Sequence, residues 1–141
     1  MKILVINGPN LNMLGIREPE IYGKATYADL TAFIQREAEK LGAEVRFFQS
    51  NHEGALVDAV QSAYGAADGI VMNPGAYTHT SIALLDAVKA VGVPTVEVHL
   101  SDPDTREDFR KVSYLRSACV ATIKGHGFEG YAEALRLLCR K

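Results

Sequence analysis

The amino-acid sequence predicts an α/β fold in three layers, with a parallel sheet held between two layers of helices. Three observations carry that prediction. Strand-like and helix-like segments alternate from one end of the chain to the other. Most strand-like runs are too uniformly apolar to leave a face for water. There are five of them, and 141 residues are enough for one domain, 1–141, with one good core.

The first strand is Ile3–Ile6, a short run rich in β-branched residues. Gly8-Pro9 breaks it, and Gly15, Pro19 and Gly23 punctuate the next stretch, so a long irregular lid loop is expected over about residues 9–24. Thr26 then reads as an N-cap, with Asp29 completing an approximate capping box. Leu30, Phe33, Ile34, Ala38 and Leu41 recur at helical spacing before the stop at Gly42. Glu44–Gln49 is the second strand. Ser50-Asn51 is expected to cap the next helix, with Leu56, Val57, Val60 and Tyr64 as its buried stripe and Gly65 at its end. Gly69–Met72 is the third strand. A helix resumes near Thr78–Thr80, turns Leu84, Leu85, Val88 and Val91 inward, and ends at Gly92. Pro94 opens the fourth strand, Thr95–Val98. The charged segment Asp102–Lys111 has room for a short helix, Ala118–Ile123 is the fifth strand, and the last helix buries Tyr131, Ala134, Leu135 and Leu138. Five strands in this alternation favour the flavodoxin-like order 2-1-3-4-5.

Composition excludes several classes of function. A net charge of −2 provides no electrostatic footprint for nucleic acid or for an acidic membrane. No apolar run approaches the length of a bilayer span. The N-terminus, with one lysine and a brief apolar run, reads as a strand and not a signal peptide. Cys119 and Cys139 lack metal-site spacing and read as reduced, packed thiols of a cytoplasmic protein.

In a sheet of this order, ligands bind beyond the carboxyl ends of the strands, near the switch between the first and third. The polar clusters fall there: Asn7–Asn10, Gln49–Glu53, Asn73–His79 and Glu97–Ser101. Three of the four histidines, His52, His79 and His99, share that edge. Gly8-Pro9-Asn10 lacks a second nearby glycine and Pro9 removes a donor, which argues against a phosphate-binding loop and so against flavin or nucleotide. A phospho-receiver needs acids where Asn7 and Asn73 stand. No histidine pair has local zinc-ligand spacing, no Gly-x-Ser-x-Gly elbow is present, and neither cysteine ends a strand. What remains is Tyr, Arg, His and Asn without metal or cofactor, a set suited to proton transfer beside a carbonyl on a small polar anion. A non-catalytic flavodoxin-like binding module is the alternative, and so is another carbon–oxygen lyase. The binding module would lack a base and an acid on opposite sides of the pocket.

Several stretches resemble type II 3-dehydroquinate dehydratases. They are Asn7-Gly8-Pro9-Asn10-Leu11-Asn12, Leu14-Gly15-x-Arg17-Glu18-Pro19, Tyr22-Gly23 and Gln49-Ser50-Asn51-His52-Glu53-Gly54. The likeness continues through Asn73–Ser81, Glu97–Ser101, Arg106-x-x-Phe109-Arg110, Ser113-Tyr114 and Gly125-x-Gly127-x-x-Gly130-Tyr131, and covers essentially the whole chain. Two places depart from the family pattern. Asp102-Pro103-Asp104-Thr105 is more acidic than usual, and Val112 stands where a His or other polar residue is common.

The resemblance implies trans-dehydration of 3-dehydroquinate to 3-dehydroshikimate through an enolate, the third step of the shikimate pathway, without metal, cofactor or Schiff base. By matched position it implies Tyr22 as the base, Arg17 stabilising its tyrosinate, Asn10 holding a water on the enolate oxygen, and His99 as the acid. It implies Asn73, Leu100 and Ser101 for the substrate carboxylate, and His79 and Arg110 for ring hydroxyls. Glu97 orients its neighbours and Arg106 covers the site with the lid. It also implies trimers assembled into a dodecamer, with Asp86 reaching into a neighbouring subunit's pocket.

Overall fold

The computed structural model describes residues 1–16, 20 and 24–140. Five parallel strands form one sheet: β1 (Lys2–Asn7), β2 (Glu44–Gln49), β3 (Gly69–Asn73), β4 (Thr95–His99) and β5 (Ala121–Lys124). Their order is β2-β1-β3-β4-β5, as the sequence predicts. The helices between them are α1 (Tyr27–Lys40), α2 (Glu53–Ser62), α3 (Ile82–Val91) and α4 (Glu129–Leu138). No helix among the described residues is long and apolar enough to cross a membrane.

Side chains alternate across a strand, so a strand covered on both faces must be apolar at every position. β1 shows this directly. Ile3 and Val5 join Val71, Val96 and Val98 in one core with α1 and α4, which contribute Leu30, Ile34, Tyr131 and Leu135. Leu4 and Ile6 join Ile70 and Met72 in a second core with α2 and α3, which contribute Leu56, Val60, Leu84 and Val88. The outer strands β2 and β5 are only partly buried, as sheet edges are.

The capping box at Thr26 and Asp29 is present in full. Gly42 and Gly92 end their helices with positive φ. Four boundaries differ from the sequence reading. His52, without a side-chain bond, is the N-cap of α2; Ser50 accepts from the His52 N–H instead, and Asn51 turns toward Asn10. α2 then ends at Ser62, so Tyr64 falls past its last turn and is 74% exposed. Gly75–His79 is a 3-10 turn, and α3 begins only after Ser81, whose side chain caps Leu84 N–H. Arg116–Ala118 is another 3-10 turn that delays β5 to Ala121 and leaves Val120 outside the sheet. In each case a local turn captured residues that hydrophobic pattern alone assigns to a regular element.

Candidate active site

β1 and β3 end side by side, with Asn7 and Asn73 as register partners. Both side chains are buried, and α4 holds them together. The Tyr131 hydroxyl donates to Asn7 Oδ1 at 2.7 Å and accepts from Asn73 Nδ2 at 3.0 Å. Burial pushes the Tyr131 phenol well above its ordinary range, against the opposing Asn73 bond, so it stays neutral and keeps its proton to donate. Asn7 Nδ2 reaches the Tyr27 hydroxyl at 3.3 Å, and Asn73 Oδ1 accepts from Gly75 N–H at 3.1 Å. One hydrogen of the Asn73 amide is left for a ligand.

The chain leaves β1 through Gly8, whose N–H donates to Asn73 O at 2.7 Å. A Cβ there would lie 2.4 Å from Pro74 O, so only glycine lets the two strand ends meet. Asn10 comes next but one, with φ 72° and its N–H on Asn51 Oδ1 at 3.0 Å. Gln49 braces the same turn through Gly8 O at 3.1 Å.

Above this floor lies a cleft of about 630 Å³, open to solvent. Asn10, Asn73, His79, His99, Leu100, Ser101, Arg106 and Arg110 all line it. Eight of the twelve residues singled out from the sequence therefore converge at the predicted strand ends. Glu97 sits fully buried beneath His99. Asp86 is exposed on α3 and does not line the cleft of its own chain. Arg17 and Tyr22 lie outside the described residues. His52, grouped with His79 and His99 on the sequence, caps α2 and is not in the cleft lining.

Residues two apart on a strand share a face, which brings Glu97 and His99 of β4 together. His99 Nε2 lies 2.6 Å from Glu97 Oε2. A carboxylate only accepts, so the imidazole donates from Nε2, and its other nitrogen, Nδ1, has no hydrogen-bond partner among the described residues. Three hydroxyls also converge on Glu97: Thr78 Oγ1 at 2.5 Å, Ser113 Oγ at 3.0 Å and Thr122 Oγ1 at 3.4 Å. Burial pushes the Glu97 carboxyl up, but the His99 bond and charge and the Thr78 and Ser113 hydroxyls outweigh it and take the carboxyl below its ordinary value. Glu97 is thus a buried, ionised acceptor.

His79 donates from Nδ1 to Val112 O at 2.6 Å. Partial burial lowers its pKa, and the charges of His99 and Arg110 add to that against the Val112 bond and Glu97. Its Nε2 therefore carries a lone pair into the cleft near neutral pH. The partner is the backbone of Val112, so the valine side chain takes no part in that bond. Arg110 is oriented by Glu107 at 2.6 Å and stacks on Phe109, its guanidinium carbon 5.1 Å from the ring centre.

Sequence reasoning missed Thr78, Ser113 and Thr122 as a set, and Tyr131 as the tie beneath the floor. A signal existed: an acid inside an otherwise apolar strand requires buried donors on its neighbours, and Thr122 is its register partner in β5. Among the described residues, no group of three or more His, Cys, Asp or Glu side chains is arranged to hold a metal ion.

The chain as a whole has counterparts among known proteins. The family model described as dehydroquinase class II matches residues 1–139. The chain is 56% identical over 138 residues to a 3-dehydroquinate dehydratase of Clostridium acetobutylicum, covering 98% of this chain and 96% of that protein. It is 54% identical over 133 residues to catabolic 3-dehydroquinase 1 of Aspergillus terreus, covering 94% and 88%. The solved type II dehydroquinase of Butyrivibrio crossotus superposes with a TM-score of 0.97 at 48% identity, over 99% of this chain and 98% of the other. Fold and sequence agree over nearly the full length, and the chain belongs to the class II dehydroquinase family.

Proposed function

We propose that the cleft dehydrates 3-dehydroquinate to 3-dehydroshikimate in two proton transfers through an enolate. Tyr22, as tyrosinate beside Arg17, takes the proton next to the ketone. Asn10 holds a water that donates to the developing enolate oxygen. The enolate then expels the ring hydroxyl as His99 delivers a proton to it, because hydroxide is a poor leaving group near neutral pH. One C–H and one C–O bond break, a C=C bond forms, and water leaves with the proton from His99. Returning the Tyr22 proton to His99 through solvent resets the site.

The observation that carries this reading is the Glu97–His99 pair. The ionised Glu97 carboxylate, 2.6 Å from Nε2, fixes the ring's orientation and places a counter-charge beside the group that delivers the proton. The remaining Asn73 amide hydrogen, with Leu100 and Ser101, binds the substrate carboxylate. His79 Nε2 and Arg110 take ring hydroxyls, and Arg106 covers the site with the lid. Asp86, exposed on α3 and outside its own cleft, serves a neighbouring subunit's pocket in a trimer, four of which make a dodecamer. The enzyme works in the cytoplasm, in keeping with its two unpaired cysteines.

The test is Tyr22→Phe, which keeps the ring and removes only the base. Turnover of 3-dehydroquinate, read by the ultraviolet absorbance of the conjugated enone, falls to near zero while the fold persists. More than a few per cent of residual rate would assign the base to another group.

A further inference from the structure

The turn that departs from the family pattern, Asp102–Arg106, forms one wall of the cleft through Pro103 and Arg106, directly after Ser101. It is a closed unit. Asp102 Oδ1 accepts from Asp104 N–H at 2.9 Å, and Asp102 O accepts from the Thr105 hydroxyl at 2.8 Å. Its partner is the end of β5. Lys124, the last residue of that strand and the register partner of His99, pairs its ammonium with Asp104 Oδ2 and stands 3.8 Å from Asp102 Oδ1. The next residues continue the brace: Gly125 N–H donates to His99 O at 3.2 Å, and Gly127 N–H to Leu100 O at 3.0 Å. A Cβ on Gly125 would come within 3.3 Å of Asp102 Cβ, so the two segments pack closely against each other.

We propose that Lys124 is a positioning residue for the anion-binding wall of the cleft: it fixes the turn Asp102–Arg106 and cancels the charge of the two acids within it. The inference rests on the proposed dehydration, in which the substrate carboxylate lies against Leu100 and Ser101. Two carboxylates next to an anion site oppose binding unless a cation faces them. Lys124 is that cation, and its bond is the main cause of the lowered Asp104 pKa; Arg116 and Lys111 add weaker fields, so Asp104 is ionised at neutral pH. Asp104 Oδ1 is enclosed without a hydrogen-bond partner among the described residues, which leaves Lys124 as the group that compensates that carboxylate. The side chains are about a third exposed, 28% for Lys124 and 35% for Asp104, so the pair does little for global stability. Its effect is on affinity.

The charge argument fixes an order among variants. Lys124→Met frees the turn and also unmasks two negative charges. Asp104→Asn frees the turn but removes a negative charge. Lys124→Met therefore raises KM roughly threefold to tenfold with kcat within twofold and an unchanged melting temperature. Lys124→Arg restores KM. The double variant Lys124→Met with Asp104→Asn has a lower KM than Lys124→Met alone, since removing the acid relieves the repulsion. KM unchanged in Lys124→Met overturns the proposal, and so does a double variant no better than the single one. If Lys124→Met does not fold, the same order is read from Lys124→Gln. Wild-type turnover of 3-dehydroquinate tests the proposed dehydration separately: no enone at all refutes that function, whereas turnover with the wrong KM order refutes only the role of Lys124.

Discussion

Replacing Glu97 with glutamine removes one buried charge and almost nothing else. With its amide oxygen in the Oε2 position, glutamine still accepts from Thr78 and from His99 Nε2, which lie 2.5 and 2.6 Å from that atom. The amide nitrogen then faces Ser113 Oγ and Thr122 Oγ1, 3.1 and 3.4 Å from Oε1, and both hydroxyls can rotate to accept. No buried donor is stranded, so the fold survives. A hydrogen bond to a charged group is worth about 1.5–3 kcal/mol and a neutral one about 0.5–1.5 kcal/mol, so two short bonds lose about 2–3 kcal/mol together. In the folded state, relief from burying a charge offsets much of that loss. In the proposed reaction nothing offsets it, because His99, as the group that delivers the proton, loses the counter-charge beside it. A loss of about 1.5–3 kcal/mol there lowers kcat roughly 10- to 100-fold. The assay is enone formation for kcat and KM, with a thermal melt in parallel. A Glu97→Gln enzyme with kcat within twofold of wild type would refute the role given to this charge.

The same residue sets a pH dependence. The folded pKa of Glu97 is below the ordinary 4.5, so the unfolded chain takes up this proton first as pH falls. Its contribution to stability is complete above that ordinary value and drains away as pH drops through the lower, folded pKa. Glu97→Gln removes the titration, and its acid-unfolding limb below the ordinary value is shallower than that of wild type. In Tyr131→Phe, Asn7 Oδ1 and Asn73 Nδ2 lose their shared partner; at about 1–3 kcal/mol for each stranded group, thermal melts show a loss of several kcal/mol. A melting temperature unchanged within a degree would contradict that network. Mixing Asp86→Ala with Tyr22→Phe subunits restores activity if a pocket draws Tyr22 from one chain and Asp86 from another; mixtures as dead as their parents would place Asp86 outside the pocket.

The sheet was legible because burial on both faces forces strands such as Ile3–Ile6 and Ile70–Met72 to be apolar at every position. The site edge was legible for the complementary reason: Asn73, His79, His99 and Ser101 sit where those runs stop. Boundaries were less so. Ser81 outcompeted Thr78–Thr80 as a cap through one hydroxyl bond to Leu84 N–H, a contest that periodicity does not record. Tyr64 matched the helical stripe of α2, yet the helix ended two residues earlier. The hydroxyls around Glu97 were hidden for a different reason: Thr78, Ser113 and Thr122 come from three separate segments, and only the fold makes them neighbours. Asp86 is the converse case: it is exposed on α3 and outside the cleft lining of its own chain, so the role proposed for it requires a second chain.

The bond between Tyr131 and Asn7 spans 124 positions of sequence. Asn7 leaves the ribosome's catalytic centre long before Tyr131 is added. At about 5–20 residues per second, the ribosome separates them by roughly 6–25 s. Through that interval the first strand and its asparagine exist without the helix that fixes the cleft floor, and the last core layer, Tyr131 and Leu135 against Val5 and Val71, is missing as well. The chain therefore gains its binding floor and its final apolar closure in one late event, so a nascent or truncated chain has neither. A growing polypeptide cannot capture substrate in a half-built pocket, and loss of the last helix leaves a species with exposed β1 and β3 faces for the cell's quality control to recognise.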